Sequence, residues 1–123
     1  MKVRYECTAL CGVGRLGAPQ FIRAMTRRSG KPFERRGLTL DGCSAFPEGR
    51  GGSEATVKVK ARLYVGEAEG DPVALLERAL REVIQELAEA VSVPVTIRSV
   101  DVAEATTSDA YRARVEADLE SKF

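Results

Sequence analysis

The chain has 123 residues, 44% of them hydrophobic and 30% charged, with 19 Lys and Arg against 18 Asp and Glu. That length suits one domain, residues 1–123, and excludes a full (β/α)8 barrel or a complete doubly wound dinucleotide fold. With no histidine and no tryptophan, Ser-His-Asp catalysis, Cys-His catalysis and histidine-ligated metal chemistry are excluded within the chain.

Residues 2–11 alternate: Val3, Tyr5, Cys7 and Ala9 point one way, Arg4, Glu6 and Thr8 the other. This predicts a half-buried strand, broken by Gly12 to Gly17. Pro19 stands where a first helical residue belongs, and Phe21, Ile22 and Met25 give the short helix its apolar face. The helix is expected to stop near Ser29-Gly30, with Gly30 as a left-handed cap. A short second strand is centred on Leu38-Thr39-Leu40. Residues 44–53, with Pro47 and three glycines, read as an exposed hairpin loop.

The third strand is the strongest β signal. Ala55, Val57, Val59, Ala61, Leu63 and Val65 share one face, and Glu54, Thr56, Lys58, Lys60, Arg62 and Tyr64 share the other. A second helix follows, with Asp71 as N-cap and Pro72 at its first position. Val73, Leu76, Leu80, Val83, Ile84, Leu87 and Val91 recur at helical spacing, and Glu77 and Arg81 form an i,i+4 pair. A fourth strand spans about Val95–Val102. Its alternation changes parity between Ile97 and Val100, which predicts a bulge. Residues 110–120 alternate again, Tyr111, Ala113, Val115, Ala117 and Leu119 against charged neighbours, and predict a fifth strand.

The order is β-α-β-β-α-β-β. The fold class is therefore α+β: a ferredoxin-like β-α-β-β-α-β unit plus a fifth strand, with two helices on one face of an antiparallel sheet. The fifth strand would extend the sheet or pair with another subunit.

The three cysteines are an odd number. Cys7 and Cys11 lie ~13 Å apart at a strand's rise, too far for a disulfide. They read as core thiols of a reduced, cytoplasmic protein. A Cys7–Cys11–Cys43 metal site lacks a fourth ligand, so no metal and no cofactor are expected. Met1–Leu10 carries Lys2, Arg4 and Glu6 and is not a signal peptide. No run approaches the ~18 apolar residues of a membrane span.

Two glycine-containing turns are candidate ligand contacts. Gly12-Val13-Gly14-Arg15-Leu16-Gly17 has the spacing G-x-G-x-x-G between a strand and a helix, where backbone donors approach an anion. Gly12, Gly14, Arg15 and Gly17 would form one wall of a site, with Arg15 gripping a ligand carboxylate. Glu67, Gly70 and Asp71, before the second helix, would form a second polar cluster. The same features also read as a plain tight turn and a helix cap.

Charge is divided. Residues 1–52 hold ten basic and four acidic residues, a net +6, and the remainder carries −5. Such halves pair within a fold or between subunits. Arg23, Arg27, Arg28, Lys31, Arg35 and Arg36, with Lys58, Lys60 and Arg62, form an alternative nucleic-acid contact surface.

The run Ser53-Glu54-Ala55-Thr56-Val57-Lys58-Val59, then Glu69-Gly70-Asp71-Pro72-Val73-Ala74-Leu75 and Ala79-Leu80-Arg81, resembles the C-terminal effector-binding domain of the isopropylmalate and citramalate synthases. The strand-turn-helix pieces are also similar to ACT domains, the ferredoxin-like amino-acid sensors. Both resemblances imply a non-enzymatic regulatory module that assembles as a homo-oligomer. It would hold a small amino acid or organic acid near glycine-containing turns and subunit interfaces. A nucleic-acid-binding protein and a structural assembly protein are the alternative expectations.

Overall fold

The structure, a computed structural model, describes residues 3–51, 53–66 and 70–105. Its elements run β1 (Val3–Gly14), α1 (Ala18–Arg28), α2 (Gly30–Glu34), β2 (Thr39–Gly51), β3 (Glu54–Val65), α3 (Pro72–Ala90) and β4 (Val95–Glu104). The four strands form one antiparallel sheet in the order β2-β3-β1-β4. This is the split arrangement expected of a ferredoxin-like α+β fold. The predicted fifth strand at 110–120 lies outside the described residues.

Strand parity decides which face is dry. On β3, Val57, Val59, Ala61, Leu63 and Val65 are buried, as the alternation predicts. Cys7, Ala9 and Cys11 on β1, which pair with Ala61, Val59 and Val57, are also buried, and so is Val13 opposite the half-buried Ala55. Small residues on β1 share the core with the bulky Phe21, Met25 and Phe33, so large and small side chains fill the layer together. Leu76, Leu80, Val83, Ile84 and Leu87 bring the apolar stripe of α3 onto the same core.

α3 begins where its sequence says it should. The Val73 N–H donates to Asp71 Oδ1 at 3.0 Å, which satisfies one of the first-turn donors that no helical carbonyl can reach. Gly70 has φ +105°, a left-handed value that glycine adopts without a Cβ penalty. The predicted Glu77–Arg81 pair forms at 3.3 Å.

Three expectations are corrected. β1 does not break at Gly12. Gly12 pairs with Thr56 on one side and Thr96 on the other, and Gly14 with Glu54; a ladder on both flanks outweighs the weak strand preference of glycine. Residues 44–51 are not a loop but part of a 13-residue β2, paired with β3. Pro47 is tolerated because β2 lies at the rim of the described sheet and the ladder slips next to it. Finally, Gly30 is not a left-handed cap. Ser29 keeps a right-handed conformation, Gly30 opens the short helix α2, and the left-handed glycine is Gly37, at φ +76°, after α2. Among the described residues there are three helices, and Phe33 is buried on the second of them.

The predicted bulge in β4 is present. Leu10 faces Ser99 and Cys11 faces Ile97, leaving Arg98 as the extra residue. On β2 the extra residues are Asp41 and Glu48. Each of the three makes an ion pair: Asp41 with Arg4 at 3.5 Å, Glu48 with Lys58 at 3.2 Å, Arg98 with Glu54 at 2.6 Å. Each bulge thus resets the apolar parity of its strand and turns a charge out of the ladder.

Candidate functional site

Two glycines of the first predicted wall, Gly12 and Gly17, are covered by other parts of the protein, while Gly14 is open. A Cβ on Gly12 would collide with Glu54 Oε1, because the Glu54–Arg98 pair passes over that glycine. Gly17 lies against Val93, whose Cγ1 would be 2.7 Å from an added Cβ. The Arg15 N–H donates to the Ser53 carbonyl at 3.2 Å and the Gly17 N–H to the Gly14 carbonyl at 3.0 Å. Two backbone donors of the turn are therefore already used, and Arg15 is exposed.

The second predicted cluster is elsewhere. Glu67 lies outside the described residues, and the Asp71 carboxylate is engaged in capping α3. Gly14 pairs with Glu54 at one end of β3, whereas Val65, just before the second turn, pairs with Val3. The ends of that ladder are roughly 35 Å apart at a strand's rise. The two turns do not form one site.

The nine basic residues fall into two groups. Lys58, Lys60 and Arg62 alternate with the buried residues of β3 and lie on the helix-free face of the sheet. There Lys60 and Arg62 line a hollow of about 240 Å³ with Gly42 and Ser44. Arg23, Arg27, Arg28, Lys31, Arg35 and Arg36 belong to α1, α2 and the turn after α2, on the other side. One nucleic-acid footprint spanning all nine is not formed.

Four of the helix-side group, Arg27, Arg28, Lys31 and Arg35, line a groove of about 490 Å³. Arg27 and Arg28 come from the last turn of α1, Lys31 and Pro32 from α2, and Arg35 from the turn after it. Glu86, Leu87 and Ala90 of α3 form the facing wall. The kink between α1 and α2 makes this possible, because it turns Lys31, Pro32 and Arg35 toward the end of α3. Arg35 donates to Glu86 Oε2 at 2.7 Å. Arg36 is held by Glu82 at 3.5 Å, Glu86 at 3.4 Å and the Pro32 carbonyl at 2.8 Å. Here the basic and acidic halves of the sequence meet within the fold. Among the described residues no carboxylate pairs with Arg27, Arg28 or Lys31. Pro32, Leu87 and Ala90 supply apolar surface beside these cations. A volume of this size suits a small molecule.

Sequence reasoning named the cations of the groove but not its wall. Leu87 and Ala90 carry no chemical signature, and only the fold brings them beside Arg27. Gly30-Lys31-Pro32 was the available signal for the second helix start.

Burial disfavours the thiolate at all three cysteines. Burial pushes Cys7 and Cys11 up to about 11, with Glu6 adding to the effect at Cys7. Burial also raises Cys43, partly offset by the Ser29 hydroxyl. Such groups stay protonated near neutrality. Among the described residues no three Cys, Asp or Glu side chains are grouped to hold a metal ion, and no helix is long and apolar enough to cross a membrane.

No protein-family model matches the chain, and no curated protein matches it. Solved structures do. The full extracellular region of zebrafish Gpr126/Adgrg6 aligns at a TM-score of 0.54 and 16% identity, over 84% of this chain and 13% of that one. The C-terminal domain of the MgtC protein from Mycobacterium tuberculosis aligns at 0.46 and 17% identity, over 84% and 87%. A hydantoinase/carbamoylase family amidase from Burkholderia ambifaria aligns at 0.41 and 19% identity, over 85% and 28%. At 16% identity the likeness to the first of these is one of fold alone.

Proposed function

We propose that this chain is a non-enzymatic binding module that holds a small organic acid or amino acid in the α1–α2–α3 groove, within a homo-oligomeric regulatory assembly. The observation that carries this reading is the convergence of Arg27, Arg28, Lys31 and Arg35 on one concave site with a single carboxylate, Glu86, in its lining. Guanidinium groups bind carboxylates bidentately, and an apolar wall beside them lowers the competition from water. Burial raises all three thiols, which works against an activated cysteine nucleophile. The resemblance to synthase effector domains and ACT domains points to the same class of ligand, although the groove replaces the glycine-containing turns as the binding place. The division of the basic residues between two faces favours a compact anion over a nucleic-acid backbone, which needs a continuous track of cations.

The test is a thermal-shift screen of the twenty amino acids, common 2-oxo acids and simple mono- and dicarboxylates, followed by calorimetry. Ligand at ten times its Kd stabilises by about 1.4 kcal/mol, which moves Tm by roughly 4–8 °C in a chain near this size. Arg27→Ala and Lys31→Ala should each weaken binding about tenfold, and Lys58→Ala on the far face should not. A flat response across the panel at millimolar ligand rejects the reading.

A further inference from the structure

Next to the basic groove lies a smaller hollow of about 150 Å³, lined by Gln20, Arg23, Ala24, Arg28 and Val91. It sits one helical turn back along α1. The two spaces share Arg28, and on the α3 side they are lined by consecutive residues, Ala90 and Val91. Ala24 is buried and Val91 half-buried, and both belong to or pack against the core. The polar residues of this hollow are long ones, whose aliphatic stems line an apolar space while their charged ends reach water. Arg28 therefore stands between a cationic compartment and an apolar one.

Resting on the groove reading above, we propose that the ligand is a carboxylate bearing an apolar substituent. Its carboxylate is taken by Arg28 with Arg27 or Lys31, and its branched or aromatic group lies against Ala24 and Val91. A compact polyanion such as a tricarboxylate or inorganic phosphate would fill the basic groove and leave the apolar hollow wet. At about 150 Å³, and open to solvent on one side, the hollow has room for a side chain of about four to six carbons laid against Ala24 and Val91. The carboxylate supplies orientation, and the apolar group supplies discrimination.

The experiment is calorimetry on the full chain with acetate, butanoate, hexanoate and phenylacetate, with succinate and inorganic phosphate as controls. Affinity should rise about fourfold per methylene from acetate until the hollow is full, following the usual gain for burying a methylene. Phenylacetate should bind more tightly than succinate. Val91→Ser, at a half-buried position beyond the last turn of α3, should flatten the chain-length dependence. Arg28→Ala should weaken every carboxylate. The chain-length series on the unaltered protein decides the question even if Val91→Ser folds poorly. Carboxylate binding with no dependence on chain length, or succinate binding more tightly than hexanoate and phenylacetate, overturns the apolar assignment and leaves the groove reading standing. No binding of any carboxylate overturns both.

Discussion

Glu54 and Arg98, on the strands that flank β1, meet across Gly12: Arg98 Nη2 donates to Glu54 Oε1 at 2.6 Å. The glycine is what lets them meet, since any Cβ there would displace the carboxylate. The three glycines of the G-x-G-x-x-G run therefore have separate circumstances. Gly12 lies under an ion pair, Gly17 lies against Val93, and Gly14 has open space where a Cβ would be.

This separation predicts different costs for the same substitution. Gly12→Ala displaces the end of a flexible, half-exposed side chain and breaks an exposed ion pair, so it should cost no more than about 1 kcal/mol. Gly17→Ala drives a Cβ into the buried Val93, and overpacking of that kind costs about 1–3 kcal/mol. Urea denaturation of the two variants should rank them in that order. If Gly12 instead served a ligand, Gly12→Ala would impair carboxylate binding, and calorimetry should show that it does not.

The α3 cap gives a second prediction. Asp71→Ala leaves the Val73 N–H without its acceptor and should destabilise by about 1 kcal/mol, whereas Asp71→Asn retains an acceptor and most of the stability. Thermal melts of the pair separate the capping role from a ligand-binding role, because only the latter would alter the response to carboxylates.

β3 and α3 are legible in the sequence because their periods run unbroken from Glu54 to Val65 and from Pro72 to Ala90. β2 is not, because the extra residues Asp41 and Glu48 shift its parity twice and its glycines and Pro47 imitate a loop. α2 is hidden because five residues show too little of a helical period to recognise. The site divides in the same way. The cations Arg27, Arg28, Lys31 and Arg35 are visible as a cluster in the chain, but their concave arrangement depends on Glu86, Leu87 and Ala90 arriving from α3, which no local pattern announces.

The buried thiols predict a pH dependence. Cys7 and Cys11 are raised from 9.0 to about 11 in the native state. An unfolded chain therefore loses these protons from about pH 9, while the native chain keeps them until about pH 11. The stability is fully present below pH 9 and declines as pH rises through that window. Melts from pH 8 to 11 should show a steeper decline for the unaltered protein than for a Cys7→Ala, Cys11→Ala double variant. The difference between the two isolates the contribution of the thiols. Iodoacetamide at pH 8 should leave both cysteines unmodified in the native protein and label them in urea.

The remaining prediction concerns the outer edge of β4. Among the described residues β2 and β4 are the outer strands, and they differ. β2 has two ladder slips and Pro47, features that discourage pairing of another strand. β4 has one slip, at Arg98. Val95, Ile97, Val100 and Val102 on its core side are only half-buried, while the residues they pair with on β1 are buried. A charge on this edge keeps access to water, whereas one in the dry layer does not. Val102→Asp should therefore destabilise less than Val59→Asp, by about 2 kcal/mol, and urea denaturation of the two variants measures the gap. If β4 accepts a strand from a second copy, amide exchange along residues 95–102 slows as protein concentration rises. An exchange rate independent of concentration rejects pairing between copies at this edge.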